Sequence, residues 1–65
     1  MEVIVNGKIE EIESETILKL ILGKSLNPNT LVIEMNGKII IKDNWENTKI
    51  KQNDKIEILN FVGGG

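Results

Sequence analysis

Three consecutive glycines, Gly63, Gly64 and Gly65, close the sequence directly after an apolar run over residues 56–62. Glycine has no Cβ and reaches backbone conformations closed to other residues, so three in succession make a thin, mobile thread that fits a slot no wider than a backbone. The reactive group of such a thread is the terminal carboxylate expected at Gly65, with Gly63 and Gly64 as the lead that lets it enter a partner's active site. The competing reading is ordinary fraying of a chain end, with no chemistry attached. The rest of the chain offers few alternatives. It has no histidine and no cysteine, so a zinc or iron–sulfur site lacks soft ligands and a histidine-based nucleophilic dyad is impossible. No catalytic residue and no metal site are expected. Gly23-Lys24-Ser25 resembles the end of a phosphate loop, but that motif needs a glycine five residues earlier, where Leu18 stands.

Composition narrows the class further. At 65 residues the chain is one domain near the lower limit for folding alone, where roughly 60% of the unfolded surface is buried. The core must be built mainly from the twelve isoleucines, with Trp45 and Phe61 as the only aromatics. Without cysteine there is no disulfide, which points to the cytoplasm. Eight lysines against ten acidic residues give a net charge of −2, which argues against nucleic-acid binding because a phosphate backbone needs a basic face. The apolar runs are too short to span a bilayer and no signal peptide is expected, so membrane association is not expected either.

The elements that must hold the glycine thread can be read in order. Residues 1–5 form an apolar run ending in Asn6-Gly7, the pair that best tolerates positive φ in a two-residue hairpin turn, and residues 8–12 return. Ile9 and Ile12 are the apolar positions of that return. Val3 and Val5 share one face of the first strand, leaving Ile4 on the other. Ser14 or Thr16 can cap a short helix in which Ile17, Leu20 and Ile21 share a face at i, i+3, i+4, with Leu18 and Leu22 widening the stripe and Gly23 placed for a left-handed cap. Pro28 marks a loop. Residues 31–35 form a third strand, Asn36-Gly37 a second tight turn, and residues 38–41 a short fourth strand. The polar connection from 42 to 51 is anchored by Trp45, packed over the core edge beside Ile50. Asn53-Asp54 then turns the chain into a final strand over 55–62.

A hairpin, a helix and returning strands in this order are most economically a mixed sheet wrapped on one face of the helix, with the first and last strands parallel neighbours in the middle. The expected fold class is α+β, the β-grasp or ubiquitin-like layout, with a domain over residues 1–62 and a flexible tail over 63–65.

The C-terminal half carries a more specific signal. Met35-Asn36-Gly37-Lys38-Ile39-Ile40, then Trp45, then Asn53-Asp54-Lys55-Ile56-Glu57-Ile58 and finally Val62-Gly63-Gly64-Gly65 resemble the ThiS family, the sulfur carriers of thiamine biosynthesis. The resemblance covers nearly the whole chain. It departs at Ile41-Lys42, where the family commonly has Pro-Arg, and at Asn53-Asp54, where it has Gly-Asp. Asparagine tolerates a left-handed turn, so Asn53 leaves the fold intact. Lys42 can reach a partner as a point charge but not as a planar fork.

The resemblance implies that the Gly65 carboxylate is adenylated by an E1-like, ThiF-like adenylyltransferase using ATP. It is then converted to a thiocarboxylate with sulfur from a cysteine persulfide, and donates that sulfur to a ThiG-like thiazole synthase. The chain itself would be a co-substrate, not an enzyme, with no bound cofactor. A related MoaD-like or protein-modifier carrier would use the same tail for another acceptor, and a plain β-grasp binding module would leave the tail idle. Period-two alternation in the last strand sets Leu59 and Phe61 opposite Ile56 and Ile58. If the isoleucines face the helix, then Ile4, Leu59, Phe61 and Val62 form an exposed partner-binding patch leading into the tail. The alternative for Phe61 is to fold over the sheet edge onto the core. Trp45, Asp54 and Glu57 are read as core plug, turn former and solvated strand residue.

Overall fold

The parallel contact between the first and last strands organises the molecule. The computed structural model describes residues 1–61; Val62 and the three terminal glycines lie outside the described residues. Strand β1 (Glu2–Val5) turns through Asn6 and Gly7 into β2 (Lys8–Glu11), helix α1 (Ile17–Gly23) follows, then β3 (Leu31–Met35), β4 (Lys38–Ile40) and β5 (Lys55–Asn60). The sheet order is β2-β1-β5-β3-β4. Strands β1 and β5 are parallel and the other pairings are antiparallel. This is the β-grasp arrangement expected from the element order. Strands β1, β2 and β4 are each one residue shorter than their expected runs, and β5 extends through Asn60 among the described residues.

One sheet face packs on α1. Val3, Val5, Ile33 and Ile56 from the strands meet Ile17, Leu20 and Ile21 from the helix, and all are buried. Each fully buried aliphatic contributes about 1.5–3 kcal/mol, so removing any one leaves a cavity that a core this thin cannot refill. Leu18 is half-buried as expected, but Leu22 is 55% exposed. It lies about 100° round the helix from Ile21 and clears the sheet in a helix of seven residues.

Residues 42–51 complete the core. Trp45 is 1% exposed and its indole N–H donates to the Ile40 carbonyl at 2.8 Å. With Trp45 seated there, its carbonyl and that of Thr48 accept from the Leu18 and Ile17 amides at 3.1 Å each. Those amides head α1 and have no acceptor inside it. The Thr16 hydroxyl accepts from the Lys19 amide at 3.2 Å, which makes Thr16 the cap. At the other end, Lys24 Nζ reaches both Glu10 carboxylate oxygens at 2.7 and 3.0 Å. This pair ties the C-terminus of α1 to the inner face of β2.

The helix ends differently from the expectation at Gly23. The Ser25 amide donates to Leu22 and the Leu26 amide to Ile21, the pair of bonds of a Schellman motif. The left-handed residue is therefore Ser25, at φ 59°, and Gly23 belongs to the helix. A non-glycine residue in this conformation costs about 1–2 kcal/mol. The Ser25→Gly variant removes that cost at the expense of some unfolded-state entropy, so a net gain of about 0.5–1 kcal/mol and a rise in Tm of a few degrees are expected. An unchanged or lower Tm by calorimetry would show that the serine is unstrained.

Candidate functional site

Strand β5 is the base of the glycine tail, and both Asn-Gly turns hold it. Asn6 and Asn36 adopt φ 49° and 54°, the left-handed conformation that the turns require. Each also spends its side chain on β5. The Asn6 carboxamide accepts from the Ile58 amide at 2.7 Å and donates to the Ile58 carbonyl at 3.3 Å. The Asn36 carboxamide accepts from the Lys55 amide at 2.9 Å and donates to Asp54 Oδ1, also at 2.9 Å. Asp54 is 7% exposed, and its second oxygen accepts from the Lys51 amide at 2.7 Å. Asp54 is thus more than a turn former: it links the second hairpin turn to the start of β5. Asn53 takes φ 71°, so the residue standing where glycine is common supplies the same turn.

The outer sheet face follows the alternation. Leu59 and Phe61 are 51% and 63% exposed, while Ile56 is buried and Ile58 half-buried against the core. Phe61 does not fold over the core edge: its amide donates to the Thr30 carbonyl at 3.0 Å, continuing the β3 ladder. Cross-strand register sets Leu59 opposite Val32. Extending the β3–β4 register by one step puts exposed Ile41 on the other side of Val32. The result is an apolar row of Leu59, Val32 and Ile41 at the end of the sheet where β5 finishes, with Phe61 and exposed Ile39 flanking it.

Ile4 does not join this patch. Its partner across β5 is Lys55, four residues before Leu59 and so about 13 Å further back along the strand. Glu57, opposite Glu34 on the same outer face, stands between. Ile4 instead neighbours Ile9, which is 71% exposed, and the two line a shallow pocket with Glu2, Val3 and Asn53. Parallel pairing advances both chains in the same direction, so β1 has already turned away by the time β5 reaches Leu59. The remaining members of the expected site, Val62, Gly63, Gly64 and Gly65, lie outside the described residues. Lys42 donates to the Asn29 side chain, bridging the 3-10 turns Pro28–Thr30 and Lys42–Asn44.

Val32, Ile39 and Ile41 were reachable from sequence by applying to β3 and β4 the alternation used for β5. The side-chain bonds of Asn6 and Asn36 were not, because they depend on strand order and register.

With this geometry in view, comparison with known proteins decides the relationship. The model of the ThiS family matches residues 3–65. The chain belongs to the ThiS family. Among relatives of this ThiS-family chain, the sulfur carrier protein ThiS of Bacillus subtilis is 34% identical over 53 residues, covering 82% of this chain and 80% of that one. A protein of Trieres chinensis, ycf40, is 54% identical over 39 residues, or 60% of this chain. A thiazole synthase of Magnetococcus marinus is 27% identical across the whole of this chain. The chain spans 53% of the length of the Trieres protein and 20% of that synthase. In three dimensions it is similar to the crystal structure of the thiamine biosynthesis protein ThiS from Geobacter metallireducens, with a TM-score of 0.86, 26% identity and full coverage of both chains. Among the described residues no helix is long and apolar enough to cross a membrane.

The exposed patch and the buried carboxylate should respond oppositely to substitution. Replacing Leu59 and Phe61 together by serine removes side chains that are mostly in water, and should cost less than about 1 kcal/mol in urea unfolding. Asp54→Ala removes a buried carboxylate and both of its part-buried bonds, from the Lys51 amide and the Asn36 carboxamide, and should cost about 1.5–3 kcal/mol. Reversal of that order would mean that the outer patch serves the core.

Proposed function

We infer that this chain is a sulfur carrier of thiamine biosynthesis, a protein co-substrate whose terminal Gly65 carboxylate is activated and converted to a thiocarboxylate. The observation that carries the reading is the family match running through Gly65, in a chain whose last strand ends in an exposed apolar patch. A carboxylate resists nucleophilic attack because of its charge and resonance. Reaction with ATP on a ThiF-like, E1-like adenylyltransferase displaces pyrophosphate and gives an acyl-adenylate with AMP as leaving group. Attack by the terminal sulfur of a cysteine persulfide then displaces AMP and forms an acyl disulfide, and a second thiol of the donor system attacks the cysteine sulfur, closing a disulfide there and releasing the thiocarboxylate. The nucleotide belongs to the activating partner, and this chain supplies no catalytic group. The reaction belongs in the cytoplasm, without membrane or nucleic acid.

A ThiG-like thiazole synthase is the acceptor in this reading. In two proteins named thiazole synthase, a stretch similar to this whole chain makes up a fifth of the polypeptide, and that pairing supports the synthase as partner. Leu59 and Phe61, with Val32 and Ile41 beside them, are the anchors that dock the carrier on its partners, since buried aromatic and aliphatic side chains carry most interface energy. Gly63 and Gly64 pass where a side chain would block.

ATP–pyrophosphate exchange with the ThiF-like enzyme tests the reading. Deleting Gly65 or adding one residue after it shifts the reacting carbon by about 3.3–3.6 Å, and exchange should be lost while the fold is retained. Exchange at the normal rate with either altered chain would overturn the assignment. Gly64→Val should impair exchange more than it impairs binding. In Leu59→Ser/Phe61→Ser, affinity for the enzyme should fall by at least about thirtyfold, the equivalent of losing one anchor of about 2 kcal/mol, with the Tm little changed.

A further inference from the structure

We propose that Asn6 is a positioning residue for the tail chemistry: its carboxamide, in place of main chain, holds β5 from the β1 side and so fixes where the tail leaves the sheet. The proposal rests on the reading of Gly65 as the reactive end. Strand β1 pairs with β5 only at Ile4↔Lys55 and Val5↔Ile56. The Asn6 amide donates to the Ile56 carbonyl at 2.9 Å, and Gly7 then carries the chain away into β2. Beyond that point the Asn6 side chain supplies the next rung, accepting from the Ile58 amide at 2.7 Å and donating to the Ile58 carbonyl at 3.3 Å. A carboxamide presents the same acceptor and donor as a peptide group, so it extends the ladder by one residue. On the other side β3 continues to Leu31↔Asn60 and the Thr30 carbonyl holds the Phe61 amide at 3.0 Å.

The side-chain choice is narrow. Glycine suits φ 49° but offers neither bond, and aspartate keeps the acceptor while losing the donor. Without Asn6 the end of β5 loses its side-chain hold from the β1 side and can pivot about the β3 ladder. A misplacement of about 1 Å far from the chemistry can cost about a hundredfold in rate, so a small pivot at the root of the tail matters even if the fold survives. The molecule contains its own control. Asn36 makes the equivalent two bonds at the opposite end of β5, to Lys55 and Asp54. Losing them weakens the fold without loosening the end that bears the tail.

The test compares Asn6→Gly, Asn6→Asp and Asn36→Gly in the full chain, by thermal unfolding, amide hydrogen exchange and steady-state ATP–pyrophosphate exchange with the ThiF-like enzyme. For Asn6→Gly we expect faster exchange of the Ile58 and Phe61 amides and a kcat about tenfold lower or more, with the KM for the carrier little changed because the docking patch is intact. Asn6→Asp, which keeps one of the two bonds, should fall between it and the unaltered chain, and it carries the comparison if the glycine variant does not fold. Asn36→Gly should lower the Tm but leave kcat within about twofold. The proposal is overturned if the Phe61 amide exchanges at the normal rate in both Asn6 variants, or if kcat follows Tm alike at both asparagines. Should the unaltered chain fail to be adenylated, the reading of the tail falls, and the hydrogen-exchange comparison still decides what Asn6 does.

Discussion

Everything in this molecule depends on holding one strand, β5, in the middle of a sheet. A parallel neighbour on one side and an antiparallel neighbour on the other leave its main-chain groups satisfied for most of its length, at no entropic cost beyond that of folding itself. Burial of Ile56 and Ile58 against α1 fixes the register, because a slip of one residue would turn them outward and bring Glu57 and Leu59 into the core. The same register decides which side chains face outward, Leu59 and Phe61 among them.

Holding a central strand this way in so short a chain requires economy at the turns. Asn6 and Asn36 each adopt a left-handed backbone that most residues resist and use the same side chain to grip β5. A glycine at either position would satisfy the turn and lose the grip. The same economy appears at the start of α1, where carbonyls of Trp45 and Thr48 replace the missing acceptors for Ile17 and Leu18. The Trp45 plug that closes the core also brings these carbonyls into place, so a truncation there would damage core and helix together.

How much of this was legible in the sequence varies with how local each feature is. The two Asn-Gly turns, the i, i+3, i+4 stripe of α1 and the alternation of β5 are short-range patterns, and they led to the correct order of elements and to the outward direction of Leu59 and Phe61. The ThiS-like residues of the C-terminal half pointed to the family. Features set by register were not legible. Ile4 and Leu59 both face outward on neighbouring strands, which in sequence alone makes them one patch, yet parallel pairing separates them along the sheet. Gly23 looked like the helix cap, but the last turn closes two residues later on Ser25, where packing of Leu26 on the core outweighs the strain of a left-handed serine.

A sulfur carrier of this kind must present its Gly65 carboxylate for sulfur transfer. Intact-mass spectrometry of the full chain, after incubation with a ThiF-like adenylyltransferase, ATP and a persulfide donor, tests it most directly. The account predicts replacement of one C-terminal oxygen by sulfur, dependent on ATP and localised to Gly65 by fragmentation. An unchanged mass with an enzyme that thiolates another ThiS-family carrier under the same conditions, or sulfur found anywhere other than Gly65, would contradict it.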